Sequence, residues 1–301
     1  MTFSNEKQRI IFVTGKGGVG KSTVAAAVAQ KLAQGGQNTL LVELGEQSYF
    51  QYVYKRPITY SPTEISSNYS IALWSGETCL KEYVFYLIRV KKIVDLFFEN
   101  KIMRSFIRAA PALKELAILG KITSGVRGWG PELNYDNIVI DAFSSGHFMA
   151  LLKAPRGMAD LISAGPMGEQ SRAIDEVLKR ADICEYRVVS LPEELPVSET
   201  IELAADLKQV LGVDAKVICN RVYQPLVSGP DLKAISEDRE SSVEAREFAS
   251  FVIESVSRQE VHLEKIRQNF VKALYLPFLF EADGVKVISS LSSTIEGGGP
   301  A

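Results

Sequence analysis

Histidine and cysteine are scarce in this chain. His147 and His262 are the two histidines among 301 residues, and the three cysteines, Cys79, Cys184 and Cys219, lie far apart. No pair of cysteines has the C-x-x-C spacing that a zinc or dithiol site requires, so free buried thiols are expected. Net charge is also missing: 34 basic residues face 36 acidic ones for a formal charge of −2. That balance gives no electrostatic footprint for nucleic acid or an anionic membrane, and no nucleic-acid partner is expected. Long apolar runs are absent, none reaching the roughly 18 residues of a membrane span, which argues against stable membrane insertion. The opening MTFSNEKQRI is polar and has no secretory apolar core, so a cytoplasmic protein is expected. No internal repeat is visible.

What is present is an ordinary globular composition, with 46% hydrophobic and 23% charged residues, unlike the signature of disorder. The length suits one α/β unit over 1–301 with an inserted helical subregion. Residues 10–14 read IIFVT, a short apolar run that fits a buried parallel strand and ends in a glycine-rich turn. Alanines and valines at helical spacing follow over 22–33, glycines stop that helix over 34–38, and a second strand pattern covers 39–44. Further buried-strand patterns occupy 71–74, 137–141, 187–191, 216–220 and 273–276, with helical stretches such as 198–211 and 241–256 between them. The alternation predicts a mostly parallel, doubly wound α/β sheet with helices on both faces. Residues 81–122 carry no strand pattern and read as two or three inserted helices. Residues 227–242 read as an exposed connection, and 289–301 as a mobile tail.

The strongest chemical signal is Gly15-Lys16-Gly17-Gly18-Val19-Gly20-Lys21-Ser22, which fits G-x-x-x-x-G-K-[ST] and lies between a buried strand and a helix start. Glycines there let successive backbone N–H groups converge on phosphate oxygens, and the helix terminus adds partial positive charge. Lys21 is expected on the phosphates and the Ser22 hydroxyl on magnesium, with Thr23 next along the helix in the nucleotide-contact set. The cofactors expected are ATP or ADP and Mg2+.

The extra lysine, Lys16, makes the loop K-G-G-V-G-K-S, which resembles the deviant Walker A of the MinD/ArsA/GET group of dimeric P-loop ATPases. A second stretch, Asp141-Ala142-Phe143-Ser144-Ser145-Gly146-His147 followed by Leu151, Leu152 and Pro155, resembles the D-T-A-P-T-G-H…L-L…P element of the ArsA/GET family. Residues 192–200, PEELPVSET, are similar to that family's P-E-E-x-x-V-x-E-T helix entrance. Cys219-Asn220-Arg221 is similar to its V-N-Q/R element, and Leu276-Pro277-Phe278 to the loop over adenine. The matches run in order from Ile10 to about Gly284. The resemblance implies a nucleotide-sandwich dimer, as a homodimer or with a paralogous ATPase, in which Lys16 reaches the partner's nucleotide. It further implies that Asp141, at a strand end, faces the magnesium shell through water as a Walker B residue, and that Asn220, Arg221, Pro277 and Phe278 surround the base. In the family, the region corresponding to 81–122 builds a surface for a protein client or partner.

The chain also departs from the family. Where S-T-D-P-A-H would stand, the sequence is Glu43-Leu44-Gly45-Glu46-Gln47-Ser48. Gly45 replaces the Asp that positions the attacking water, and Glu46 can substitute if the loop shifts by one residue. Loss of a positioning group costs a factor of about 10² to 10⁴. The chain is therefore expected to be an ATP-binding dimeric switch ATPase with slow turnover. The alternative is a hydrolysis-impaired nucleotide-binding subunit that pairs with a paralogue. An anion-pump ATPase is disfavoured because the tandem ATPase halves and metalloid cysteines of such pumps are absent. His147 belongs to the switch-like element, whereas His262 reads as a helix-surface residue.

Overall fold

The structure, a computed structural model of the chain, describes residues 7–88, 99–100, 111–162 and 164–295. Strand β1 (Arg9–Gly15) is apolar on both faces, and all but its first residue are buried. That is the pattern of a strand covered by helices on each side. Its neighbours are β5 (Asn137–Ser144) and β6 (Cys184–Ser190), both parallel to it. Strands β2 (Thr39–Leu44) and β4 (Tyr69–Trp74) continue the sheet beyond β5. Beyond β6 lie β7 (Lys216–Val222) and β8 (Leu274–Pro277). The pattern misses β3 (Thr63–Ser66), a short edge strand antiparallel to β4 with alternating half-buried and exposed residues. The complete order is β3-β4-β2-β5-β1-β6-β7-β8, a mostly parallel α/β sheet as the alternation predicts.

Side chains alternate between two apolar layers. Ile11, Val13, Leu41 and Val139 point toward α1 (Lys21–Gln34), whose buried face is Val24 to Ala29 with Leu32. Four alanines in that run let the helix backbone approach the sheet closely. Phe12, Val42 and Ile140 point the other way. They meet α3 (Gly76–Ile88), α4 (Pro111–Ile122), α6 (Ser145–Leu161), α7 (Pro166–Leu178) and α8 (Glu194–Leu211). Two short helices, α2 (Phe50–Tyr54) and α5 (Ser124–Arg127), add Phe50 to the α1 layer and Val126 to the opposite one. The three cysteines are free and buried.

Two loop expectations are corrected. The connection expected over 227–242 contains α9 (Gly229–Glu237), whose Ser228 hydroxyl accepts from Asp231 N and which packs on α10 (Val243–Asn269) through Leu232. The tail expected to be mobile from 289 instead continues α11 (Gly284–Thr294), started by Asp283, whose carboxylate accepts from Val285 N and Lys286 N. Ile288, Leu291 and Ile295 repeat at three- and four-residue spacing and bury against the α1 layer. Residues 296–301 lie outside the described residues. Of the inserted segment 81–122, residues 89–98 and 101–110 also lie outside them, so the expected client surface there has no structural description. Among the described residues, no helix is long and apolar enough to cross a membrane.

Candidate functional site

The loop of Gly15 to Ser22 joins the C-terminal end of β1 to the N-terminus of α1. Its path depends on backbone angles that side chains resist: Gly15, Gly18 and Gly20 have φ of 142°, 87° and 90°. A Cβ on Gly15 would stand 2.2 Å from Val189 O in the adjacent strand, and one on Gly20 would meet Asn220 Nδ2 at 2.5 Å. Gly17 and Gly18 have nothing within 4 Å of such a Cβ. The loop is therefore tight where it meets the sheet and open at its crown, the shape of a cradle for an anion.

Lys21 folds back to donate to Lys16 O at 3.0 Å. Burial lowers its pKa, an effect opposed by the Asp141 charge. Asp141, the fifth of the eight residues of β5, is 7% exposed, and burial pushes its carboxyl up to about 7. The hydroxyl of Ser22 and the charge of Lys21 oppose that rise, whereas the neighbouring Glu43 reinforces it. Asp141 is thus a buried acid beside the P-loop residues Ser22 and Lys21, both of which act on its carboxyl. The Ser22 hydroxyl and the Asp141 carboxyl, hard oxygen donors beside a phosphate-binding loop, fit a magnesium ion.

Lys16, expected to act across a dimer interface, is ion-paired within the chain to Glu199 near the start of α8. The other Glu199 oxygen meets Ser145 Oγ at 3.3 Å, so one carboxylate ties the phosphate loop to the segment after Asp141. Thr14 Oγ1 donates to Phe143 O at 2.8 Å. Phe143 stacks on His147 with ring centroids 4.0 Å apart, and His147 Nε2 lies 3.7 Å from Glu115 Oε1 on α4. A chain of contacts thus runs from the phosphate loop to the inserted helices.

Beside the loop, a cavity of about 260 Å³ is lined by Gly20, Thr23, Asn220, Arg221, Pro277 and Phe278, among others. The residues singled out for the base thus come together. Asn220 is 3% exposed and donates through Nδ2 to Val19 O at 2.9 Å. One of its two amide N–H groups is therefore held by the loop. Arg221, which lines the cavity, adopts φ of 55° inside β7, where the register against β8 shifts between Cys219 and Val222. A larger cleft, about 670 Å³, lies between Tyr60, Trp74, Lys121 and Tyr135 and contains no part of the phosphate loop.

At the end of β2 the structure separates two acids that the sequence places close together, Glu43 and Glu46. Gly45 is half-buried and Glu46 exposed in the turn, while Glu43 is 6% exposed. Its carboxylate accepts from Ser48 Oγ at 2.5 Å and Tyr49 N at 2.6 Å, and burial, the leading influence, raises its pKa. Sequence reasoning passed over Glu43 and Glu199. The signal for Glu43 was its place at the end of a buried strand, and for Glu199 a second acid in a stretch already set apart.

A family model for anion-transporting ATPases matches residues 8–165, a span that contains the phosphate loop and Asp141. An ATPase of Mycobacterium tuberculosis named BagA is 32% identical over 244 residues, covering 76% of this chain and 69% of that protein. A Halobacterium salinarum protein whose name describes an arsenical pump-driving ATPase is 28% identical over 239 residues. That match covers 73% of this chain, and this chain spans about a third of the halobacterial protein, 36% of its length. An ATPase ASNA1 homolog of Plasmodium berghei is 22% identical over 295 residues, covering 85% of this chain and 74% of that protein.

Proposed function

The chain belongs to the anion-transporting ATPase family, and from that premise we propose that it binds ATP with magnesium at residues 15–22 and works as a dimeric switch whose slow hydrolysis resets it. The observation that carries this reading is the meeting of the phosphate loop, Lys21, Ser22 and the buried Asp141 at one helix N-terminus. When bound, magnesium would neutralise phosphate charge, with Ser22 as a direct ligand and Asp141 acting through water. Backbone N–H groups of the loop and Lys21 hold the phosphates, and Lys21 gives up its contact to Lys16 O to do so. Asn220, Arg221, Pro277 and Phe278 enclose the base.

In this reading Lys16 leaves Glu199 when two copies, or this chain and a paralogue, close around nucleotide. The carboxylate that releases it also holds Ser145, so closure and the Asp141–His147 segment are mechanically linked. The Phe143–His147–Glu115 contacts then carry the change to α4 and the inserted region, where a protein client or partner would bind. A second reading, a hydrolysis-impaired subunit of a heterodimer, is favoured by Gly45, which has no acceptor to orient water.

The test is the melting temperature with and without magnesium-ATP. A specific ligand raises it by mass action, and Lys21→Ala should abolish that rise. A rise of the same size in the variant would remove the proposal.

A further inference from the structure

Glu43 and Asp141 are register partners on adjacent parallel strands, β2 and β5. Register partners in a sheet project from the same face. Here that face is fixed by the residues two positions earlier, Leu41 and Val139, which both pack in the α1 layer, while Val42 and Ile140 pack in the opposite one. Glu43 and Asp141 therefore stand side by side on the α1 face, Glu43 next to last in β2 and Asp141 paired with Val13 of β1, two residues before the loop that leads to Lys21 and Ser22. Both are more than nine-tenths buried, at 6% and 7% exposure. Lys21 acts on Asp141, and a pair of adjacent buried acids is costly unless a cation or proton lies between or beside them.

Resting on the reading above that this loop holds magnesium-ATP, we propose that Glu43 is a second carboxylate of the magnesium site, holding metal-bound water beside Asp141. Glu43 also accepts from Ser48 Oγ and Tyr49 N. A carboxylate has about four acceptor directions, which leaves room for a metal-bound water in addition to these loop contacts. Occupation of the metal site and the conformation of residues 45–49 are thereby joined through one side chain.

The test measures the magnesium concentration that gives half of the ATP-induced thermal shift, checked by Mn2+ binding in electron paramagnetic resonance. Loss of an outer-shell partner weakens metal affinity by about 10- to 100-fold, and Glu43→Gln should raise the midpoint by that factor. Glu43→Asp keeps the charge and should stay within about threefold of wild type. A loop-capping role alone would lower the melting temperature of both variants and leave both midpoints unchanged, and that result overturns the proposal. If Glu43→Gln does not fold, wild-type protein without nucleotide supplies the measurement. It should take up one Mn2+ per chain at roughly millimolar concentration, lost in Asp141→Asn, and no saturable uptake overturns the proposal. A wild type that shows no magnesium-dependent shift with ATP refutes the nucleotide reading itself, whereas a normal wild-type shift with an unmoved Glu43→Gln midpoint refutes only the role of Glu43.

Discussion

Lys16 Nζ is ion-paired with Glu199 across 183 residues of sequence, and the same carboxylate reaches Ser145. The phosphate loop is thereby fastened to the start of α8 and to the start of α6. For Lys16 to serve a partner's nucleotide, this contact must open.

Its strength sets the first prediction. Each side chain is 33% exposed, and ion pairs of that kind contribute at most about 1 kcal/mol. Glu199→Ala should therefore tighten the ATP-dependent dimer by up to roughly fivefold for each protomer that carries it. Lys16→Ala should bind nucleotide yet fail to close. Sedimentation with magnesium and a non-hydrolysable ATP analogue reads both, and a monomer under all conditions would count against the dimeric switch.

The second prediction separates glycines that fold the loop from glycines that leave space in it. Gly15→Ala places a Cβ 2.2 Å from Val189 O at φ of 142°. It should cost about 3 kcal/mol, or roughly 10 °C in melting temperature. Gly17 has open space around its Cβ position and no left-handed φ, so Gly17→Ala should leave the nucleotide-free protein within about 1 °C of wild type. Equal melting of the two variants would contradict the loop geometry.

The contrast between these positions also explains what could be read from the sequence. The phosphate loop and Asp141 were legible because their chemistry is local: a motif of eight adjacent residues, and an acid ending an apolar run. The pairing of Glu43 with Asp141 was not, because it depends on the register of β2 against β5, which neither strand encodes alone. The Lys16–Glu199 contact depends likewise on where α8 docks. Helix α11 was missed because its last turns, SSLSST, look polar. Its signal was the spacing of Ile288, Leu291 and Ile295 behind the Asp283 cap. Edge strand β3, with one face open, gave too short an alternation to stand out.

The third prediction concerns acid stability. Glu185 is 7% exposed, with Arg9 at 3.1 Å, Lys216 at 2.8 Å and Arg187 also paired to it. Burial pushes its carboxyl up, but Arg187 and Lys216 more than offset that, so it titrates below the ordinary value of 4.5. Its folded value is depressed, so its contribution is present above 4.5 and is lost as pH falls through the folded value. Glu185→Gln should cost about 3 kcal/mol at neutral pH by leaving Arg187 unpaired. The gap between variant and wild type should close as pH falls below about 4. Denaturant melts at a series of pH values test this, and a gap that is constant across the series would sink it.

The last prediction concerns turnover. With the loop, Lys21 and Ser22 in place, most of the electrostatic stabilisation of a transferring phosphoryl group is available. Gly45 offers no acceptor for the attacking water, and Glu46 in the same turn is exposed. An unoriented water adds about 3 to 5 kcal/mol to the barrier, which places the rate of the isolated protein below roughly one per second. The backbone at Gly45 has room for a side chain. A Cβ on Gly45 would meet only Gln47 O, at 3.9 Å, and its φ is not left-handed, so Gly45→Asp fits without strain. That variant should raise kcat by about 10² with little change in KM. Ser22→Ala should instead weaken magnesium-dependent binding, and Glu46→Gln should change little. The hydrolysis-impaired reading fails if wild-type protein turns over as fast as Gly45→Asp, because the attacking water would then have a partner other than the one this position lost.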